Sequence, residues 1–281
     1  MGEAMSFYIT KASGETEPFS IEKFSRSLKR AGAQPDQIAQ IVQEVEKIPN
    51  LRTTREIYQF AFEALQKQTP HIAARYNLKR ALIELGPAGF PFERFVAEIF
   101  KRLGYHTEVD VIAQGGCVSH EIDIVTTKDH ERRMIECKFH NEQGLKVDVR
   151  VTLYIKARFD DLNKKNSHQT EPVQFLEAMI ATNSKFTAQA IQYAECAGLK
   201  LLGWSYPAKD SLSELIDRLQ LHPITAVTSL SRSQKRACIK NNLVLCNDVP
   251  HNTALFKQLG FSDAQVEKLI RECELICKPD N

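Results

Sequence analysis

The sequence has no apolar run near the roughly 20 residues that a membrane helix needs, and Met1 to Thr10 carries no basic segment followed by an apolar core. Neither a span nor a signal peptide is therefore expected. Cysteine pairing motifs are absent as well. The seven cysteines are odd in number and none stands in a C-x-x-C pair, so neither a disulfide framework nor a zinc ribbon is indicated. Cys273 and Cys277 are four apart on a predicted helix but lack a partner motif, and the reducing cytoplasm is the expected compartment. Charge of one sign is scarce too: the net charge is +2, which does not demand a nucleic-acid partner but leaves room for a local basic face. There is no low-complexity segment and no internal repeat. What is present is ordinary for a folded protein. Of 281 residues, 43% are hydrophobic and 26% charged, enough apolar side chains for a buried core. Domains of roughly 100–150 residues make two or three units the expectation.

Breaks in the pattern divide the chain. Phe7 to Thr10 and Thr16 to Phe19 read as two short strands around Ser13-Gly14. Ser20 is a helix N-cap with Ile21, Phe24 and Leu28 on one face. Gln37 to Ile48 repeats apolar residues at helical spacing. Thr53 or Thr54 caps a helix whose buried stripe is Ile57, Phe60, Ala61, Ala64 and Leu65, and one further helix is predicted from about His71 to Leu85. Gly86-Pro87-Ala88-Gly89 marks a boundary. Next comes a helix with Phe92, Phe95, Val96, Ile99 and Phe100 on one side. Strands follow at Tyr105 to Ile112, Glu121 to Val125 and Arg133 to Phe139, the last two joined by polar Thr126 to Glu131. Asp148 to Leu162 is helical, Asn163 to Thr170 a polar loop, Thr187 to Ala197 a helix, and Leu199 to Trp204 a strand. This alternation is α/β. From Ser211 onward only short helices are predicted. The expected divisions are residues 1–86, 87–207 and 208–281.

The strongest chemical signal lies between Glu121 and Lys138. Asp123 sits on a short apolar strand, and Glu136-Cys137-Lys138 follows on the next. Side chains two apart on a strand share a face, so Glu136 and Lys138 project together while Ile135, Cys137 and Phe139 turn to the core. A hairpin would bring Asp123 alongside. Two carboxylates suit a hard cation such as Mg²⁺, which stabilises charge on phosphate and acidifies bound water, and a lysine can orient that water or stabilise the transition state. The pattern resembles the PD-(D/E)XK nucleases, specifically the Mrr-like restriction endonucleases. Glu93 within Phe92-Glu93-Arg94-Phe95-Val96 matches the family's helix glutamate, and Thr182-Asn183-Ser184-Lys185-Phe186-Thr187 with Ala190 and Ala194 resembles a later family segment. The likeness runs from about Gly89 to Pro207. It implies a restriction-endonuclease-like core with a mixed central sheet, Mg²⁺ or Mn²⁺ on Asp123 and Glu136, and Glu93 and Lys138 completing the catalytic set. Tyr154, Lys156 and Arg158 on the helix after this strand are candidates for phosphate contact. His140 and Asn141 are candidates for lining the site.

The first 85 residues resemble another family. The hairpin around Lys11, the helix starts at Lys23 and Thr54-Arg55-Glu56-Ile57-Tyr58, and Tyr76-Asn77-Leu78-Lys79-Arg80 are similar to an ATP-cone, a small α+β nucleotide-sensing domain. That resemblance implies that Lys11, Glu17, Lys23 and Thr54 line a site for ATP or dATP. Ala12 stands where the family carries arginine, which removes one phosphate-binding fork. In the helical tail, the Pro223 to Ser231 stretch with Lys235 and Arg236 is a further candidate for DNA backbone contact. Together these features predict a cytoplasmic, Mg²⁺-dependent DNA endonuclease gated by a nucleotide, acting as a homodimer because cutting both strands needs two sites. The rival reading is a catalytically silent, nucleotide-sensing DNA-binding regulator.

Overall fold

The computed structural model describes residues 7–11, 14–48, 53–164 and 174–278. Ala12 and most of the polar Asn163 to Thr170 segment lie outside them. Strands β1 (Tyr8–Thr10) and β2 (Thr16–Pro18) pair antiparallel. Helices α1 (Ile21–Arg30), α2 (Pro35–Lys47), α3 (Thr54–Gln68), α4 (Pro70–Tyr76) and α5 (Leu78–Ile83) follow. Local chemistry sets their starts. Ser20 Oγ accepts the Lys23 N–H at 3.2 Å, and Thr53 forms a reciprocal capping box with Glu56. The single helix expected from His71 to Leu85 is broken at Asn77, which caps α4 and accepts the Tyr58 hydroxyl on its side-chain oxygen. A residue with such a bonding option competes with the helical ladder.

The central body begins with α6 (Phe90–Arg102), β3 (His106–Gln114), β4 (Ser119–Lys128) and β5 (Glu131–Cys137). Then come β6 (Lys146–Val147), α7 (Val149–Leu162), β7 (Phe175–Ala181), β8 (Lys185–Phe186), α8 (Ala188–Ala197) and β9 (Lys200–Leu202). The main sheet has the order β3-β4-β5-β7-β9. Its first two pairings are antiparallel and its last two parallel, which is the mixed sheet expected. The polar connection between β4 and β5 is shorter than the composition implies. Only Asp129 and His130 turn, both at positive φ (52° and 66°), the twisted two-residue hairpin geometry that lets the strands continue through Thr127 and Lys128. The tail consists of α9 (Leu212–Leu219), α10 (Arg232–Lys240), α11 (Thr253–Gln258) and α12 (Asp263–Cys277), with short 3₁₀ turns at Ile224–Ala226 and Cys246–His251.

Two apolar layers enclose the sheet. On one face, Phe92, Phe95 and Val96 of α6 and Leu212 and Leu215 of α9 pack with Ile124 and Ile135, joined by Leu78 and Leu82 of α5. On the other, Ile155 and Leu162 of α7 and Ala190 and Ala194 of α8 pack with Ile122, Val125 and Met134. Each fully buried Phe or Leu contributes about 1.5–3 kcal/mol. Ile122 and Ile124 are two apart on β4 yet face opposite layers, against simple alternation. The change of face coincides with Asp110 on the neighbouring strand, which adopts φ 54° and drops out of an otherwise continuous register. Asp123 lies at this change of face.

Gly86, at the break before α6, abuts the strand that carries the chemistry. A Cβ there would stand 2.6 Å from the Phe139 ring, and that ring is already packed on Phe92 with centroids 5.6 Å apart. Gly86→Ala is expected to lower stability by about 1–3 kcal/mol through overpacking. Urea denaturation measures this, and an unchanged midpoint would show that Phe139 has room to move.

Candidate active site

The site arises where two strands separate. β4 and β5 pair from Lys128↔Glu131 to Ile124↔Ile135 and no further. The next residues along each strand are Asp123 and Glu136. β5 continues alongside β7 to Cys137↔Ala181, but on its other edge the departing β4 leaves the Cys137 N–H without a ladder partner. Asp123 Oδ2 takes that bond at 2.6 Å. Separation of the strands thus fixes one carboxylate and brings the other beside it.

Glu136 is held by Arg158 of α7, whose Nη1 donates to Oε2 at 2.6 Å, while Nη2 donates to the Glu121 carbonyl. Arg158 is 8% exposed. It is therefore a buried clamp on Glu136 and does not reach out to phosphate as the helix pattern implied. Lys156 is likewise occupied, by Asp160, whereas Tyr154 stays exposed. Glu93 lies in the first turn of α6, with a carboxylate oxygen 3.2 Å from the point a Cβ on Gly89 would occupy. The backbone of Lys138 is fixed on both sides: its N–H donates to Ala181 at 2.7 Å, and its carbonyl accepts Thr182 Oγ1 at 2.6 Å. Its side chain is exposed. Glu136, Lys138, His140, Asp148 and Tyr154 line one open cleft of about 400 Å³. His140 is clamped by Asn183 through both backbone groups, and its Nδ1 lies 2.8 Å from Ser184 Oγ. Thr182, Asn183 and Ser184 are all buried, which explains why that polar segment follows β7.

The electrostatics single out the carboxylates. Burial, then the charges of Asp123 and Asp110, push the Glu93 carboxyl up to about 7. Burial and Asp123 likewise raise Glu136 to about 7, against the pull of Arg158 and Lys138. Burial raises Asp123 as well, opposed by its bond from Cys137. So Glu93, Asp123 and Glu136 come together, and Lys138 shares the cleft with Glu136. Asp110 is a fourth member that the strand pattern did not single out. Its left-handed backbone, which aspartate tolerates, carried no distinct mark in the sequence.

The other candidates are distributed as follows. Lys11 pairs with Glu17 at 2.7 Å, Thr54 Oγ1 donates to the Thr10 carbonyl at 3.4 Å, and Glu17 is held below its ordinary value by Lys11, then Lys23 and Lys185. The four residues of the expected nucleotide site thus surround one hairpin. Lys235 turns inward to the Thr225 carbonyl and Glu84, which removes it as a DNA contact, while Arg236 is exposed. Cys273 and Cys277 line a cleft with Cys246. Among the described residues no three His, Cys, Asp or Glu side chains are set to hold a metal ion, and no helix is long and apolar enough to cross a membrane.

Family models match three successive stretches of the chain. The ATP cone domain covers residues 7–82, the restriction endonuclease model residues 88–204, and the AF1548-like C-terminal model residues 222–277. An uncharacterized protein of Archaeoglobus fulgidus is 35% identical over 182 residues, which is 64% of this chain and 99% of the relative. The chain belongs to the AF1548-like family. The crystal structure of AF1548, a protein of unknown function, is 33% identical with a TM-score of 0.55, covering 68% of this chain and 98% of that one. In this AF1548-like protein an ATP cone is fused to a restriction-endonuclease domain, as the sequence motifs implied.

The raised carboxyl groups give a pH signature in metal-free protein. A carboxyl whose folded value lies above its unfolded value favours folding in its protonated form, so its stabilisation is complete below pH 4.5 and is lost as the pH rises through about 7. In EDTA, the thermal midpoint is expected to fall across that window. Glu93→Gln should raise the midpoint at pH 8, by on the order of 2 kcal/mol in stability, and leave it unchanged at pH 4. Equal effects at both values would refute the electrostatic account.

Proposed function

We propose that this AF1548-like protein is a divalent-metal-dependent endonuclease that hydrolyses DNA phosphodiester bonds under control of ATP or dATP on its cone. The observation that carries this reading is the gathering of Asp123, Glu136 and Glu93 where the strands part, with Lys138 sharing an open cleft with Glu136. The donor set fits a hard cation. It offers carboxylate oxygens whose mutual repulsion a divalent ion would relieve, and Mg²⁺ commonly uses only one or two carboxylates with water completing its shell. Asp123 and Glu136 would hold Mg²⁺ or Mn²⁺. When bound, such an ion supplies charge neutralisation at the phosphate and a more acidic water.

The chain's own groups do the rest. Lys138, exposed on a rigidly anchored backbone, directs its ammonium to the phosphate oxygens and the attacking water, where a fixed positive charge stabilises the transition state. Glu93, with its carboxyl near neutrality, orients that water or takes its proton. Arg158 holds the Glu136 carboxylate in one orientation. Tyr154, exposed in the lining of the cleft, provides a backbone contact that carries affinity without sequence information. Cutting both strands calls for two such sites and hence a homodimer.

The test is cleavage of supercoiled plasmid, methylated and unmethylated, with Mg²⁺ or Mn²⁺ and with or without ATP. Wild type should cut, and Lys138→Ala should lower the rate by about 100-fold or more while folding normally. The Arg158–Glu136 pair also fits the rival reading, a silent DNA-binding regulator whose carboxylate is permanently neutralised by arginine. Calorimetry separates the two. Mn²⁺ binding that is lost in Glu136→Gln supports the nuclease; no metal binding and no cleavage, with DNA binding that is unchanged in Asp123→Ala, would favour the regulator.

A further inference from the structure

Three cations meet at the junction between the cone and the nuclease sheet without a carboxylate among them. Arg30, the last residue of α1, and Lys79, in α5, both stand over the ring of Trp204, at 5.7 and 5.8 Å from its centroid. Trp204 is itself 6% exposed, and its backbone N–H donates to the Ser184 carbonyl at 2.9 Å. The next residue, Lys185, brings the third charge. Burial first, then Lys185 and Arg30, hold the Lys79 ammonium below its ordinary value. Lys185 also acts on Glu17, as does Lys23, so the cluster is continuous with the hairpin that carries Lys11 and Glu17. Among the described residues neither Arg30 nor Lys79 forms an ion pair with a carboxylate, and Glu17, the acid on which Lys185 acts, is already held by Lys11 at 2.7 Å.

Like charges gathered beside a buried ring are unfavourable unless something compensates them. A cation over an indole contributes only about 0.5–1 kcal/mol at an exposed site, and two cations on one ring still repel each other. What compensates such a cluster is a multiply charged anion. A guanidinium offers a fork to phosphate and lysines offer point charges. The half-buried position of Lys79 between two bodies of the protein favours a compact ligand over a long duplex backbone.

We propose that Arg30, Lys79 and Lys185, gathered at Trp204, bind the polyphosphate of a nucleotide held by the cone and so make the nuclease domain part of the nucleotide site. The proposal rests on the reading of the cone as a nucleotide binder. It also supplies a route for the gating. Ser184, adjacent to Lys185, bonds His140, and Thr182 bonds the Lys138 carbonyl. Lys185 and Phe186 pair with Lys146 and Val147, which line the cleft with Glu136 and Lys138. A phosphate drawn onto Lys185 therefore fixes the segment against which the catalytic lysine is anchored.

Trp204 is the sole tryptophan of the chain, so fluorescence excited beyond the tyrosine absorption reports on this place alone. The full-length protein is titrated with ATP, inorganic tripolyphosphate and adenosine, with ATP affinity measured in parallel by calorimetry. ATP and tripolyphosphate should change the emission saturably, and adenosine should not. The exposed Lys185→Ala should weaken ATP by about tenfold, with Lys185→Arg restoring most of the affinity. ATP binding of unchanged affinity in Lys185→Ala and Lys79→Ala, with no response from Trp204, would overturn the proposal and leave the cone reading intact. Absence of ATP binding in the wild type would overturn both. A short DNA duplex that produces the same Trp204 response with equal sensitivity to Lys185→Ala would reassign the cluster to nucleic acid.

Discussion

The candidate active site depends on β4 and β5 ceasing to pair after Ile124 and Ile135. A sheet that separates leaves a backbone N–H exposed at the fork, and buried backbone donors must be satisfied. Asp123 supplies the acceptor, so its position is dictated by the sheet before any metal or substrate is considered. Glu136 is carried to the same place by the strand that stays in the sheet, with Lys138 two residues on. The change of face between Ile122 and Ile124, opposite the left-handed Asp110, is what lets β4 depart while both layers of the core stay filled.

The second constraint is electrostatic. Three carboxylates near one another and partly withdrawn from water are costly, and two of them titrate near pH 7 in consequence. The fold offsets part of this with Arg158, drawn from the opposite layer, and leaves the remainder standing. Glu93 and Glu136 stay raised despite it. The contrast with His120 and Asp161 is instructive. There the carboxylate accepts from the imidazole and from the Cys117 and Val118 N–H groups, and it is held down at about 2. That cluster is satisfied, and it holds a turn against α7.

Much of this was legible in the sequence because several independent patterns agree. Alternation on Ile135, Glu136, Cys137, Lys138 and Phe139 gave the correct faces, the caps at Ser20 and Thr53 gave helix starts, the order of elements gave the α/β class, and the resemblance to the restriction endonucleases implied the mixed sheet. What was not legible depends on three-dimensional partners. Arg158 reads from its helix as one more exposed cation, and only the distance to Glu136 shows that it is buried. Lys235 looked free for the same reason. Asp110 carried no local signal because its role depends on the strand beside it, and the break at Asn77 required the Tyr58 hydroxyl, 19 positions away in sequence.

That break has a consequence for what counts as a separable piece. Ala73 packs in the core of the cone, Ala74 in the core of the tail, and Leu78 and Leu82 in the core of the nuclease sheet. Arg75 donates to the carbonyls of Leu275 and Ile276, and the Ala81 carbonyl accepts Thr225. Residues 70–83 thus belong to three cores at once. A single proteolytic cut in this stretch would open apolar surface in all three cores. Three modules that are distinct in sequence meet here in one shared keystone.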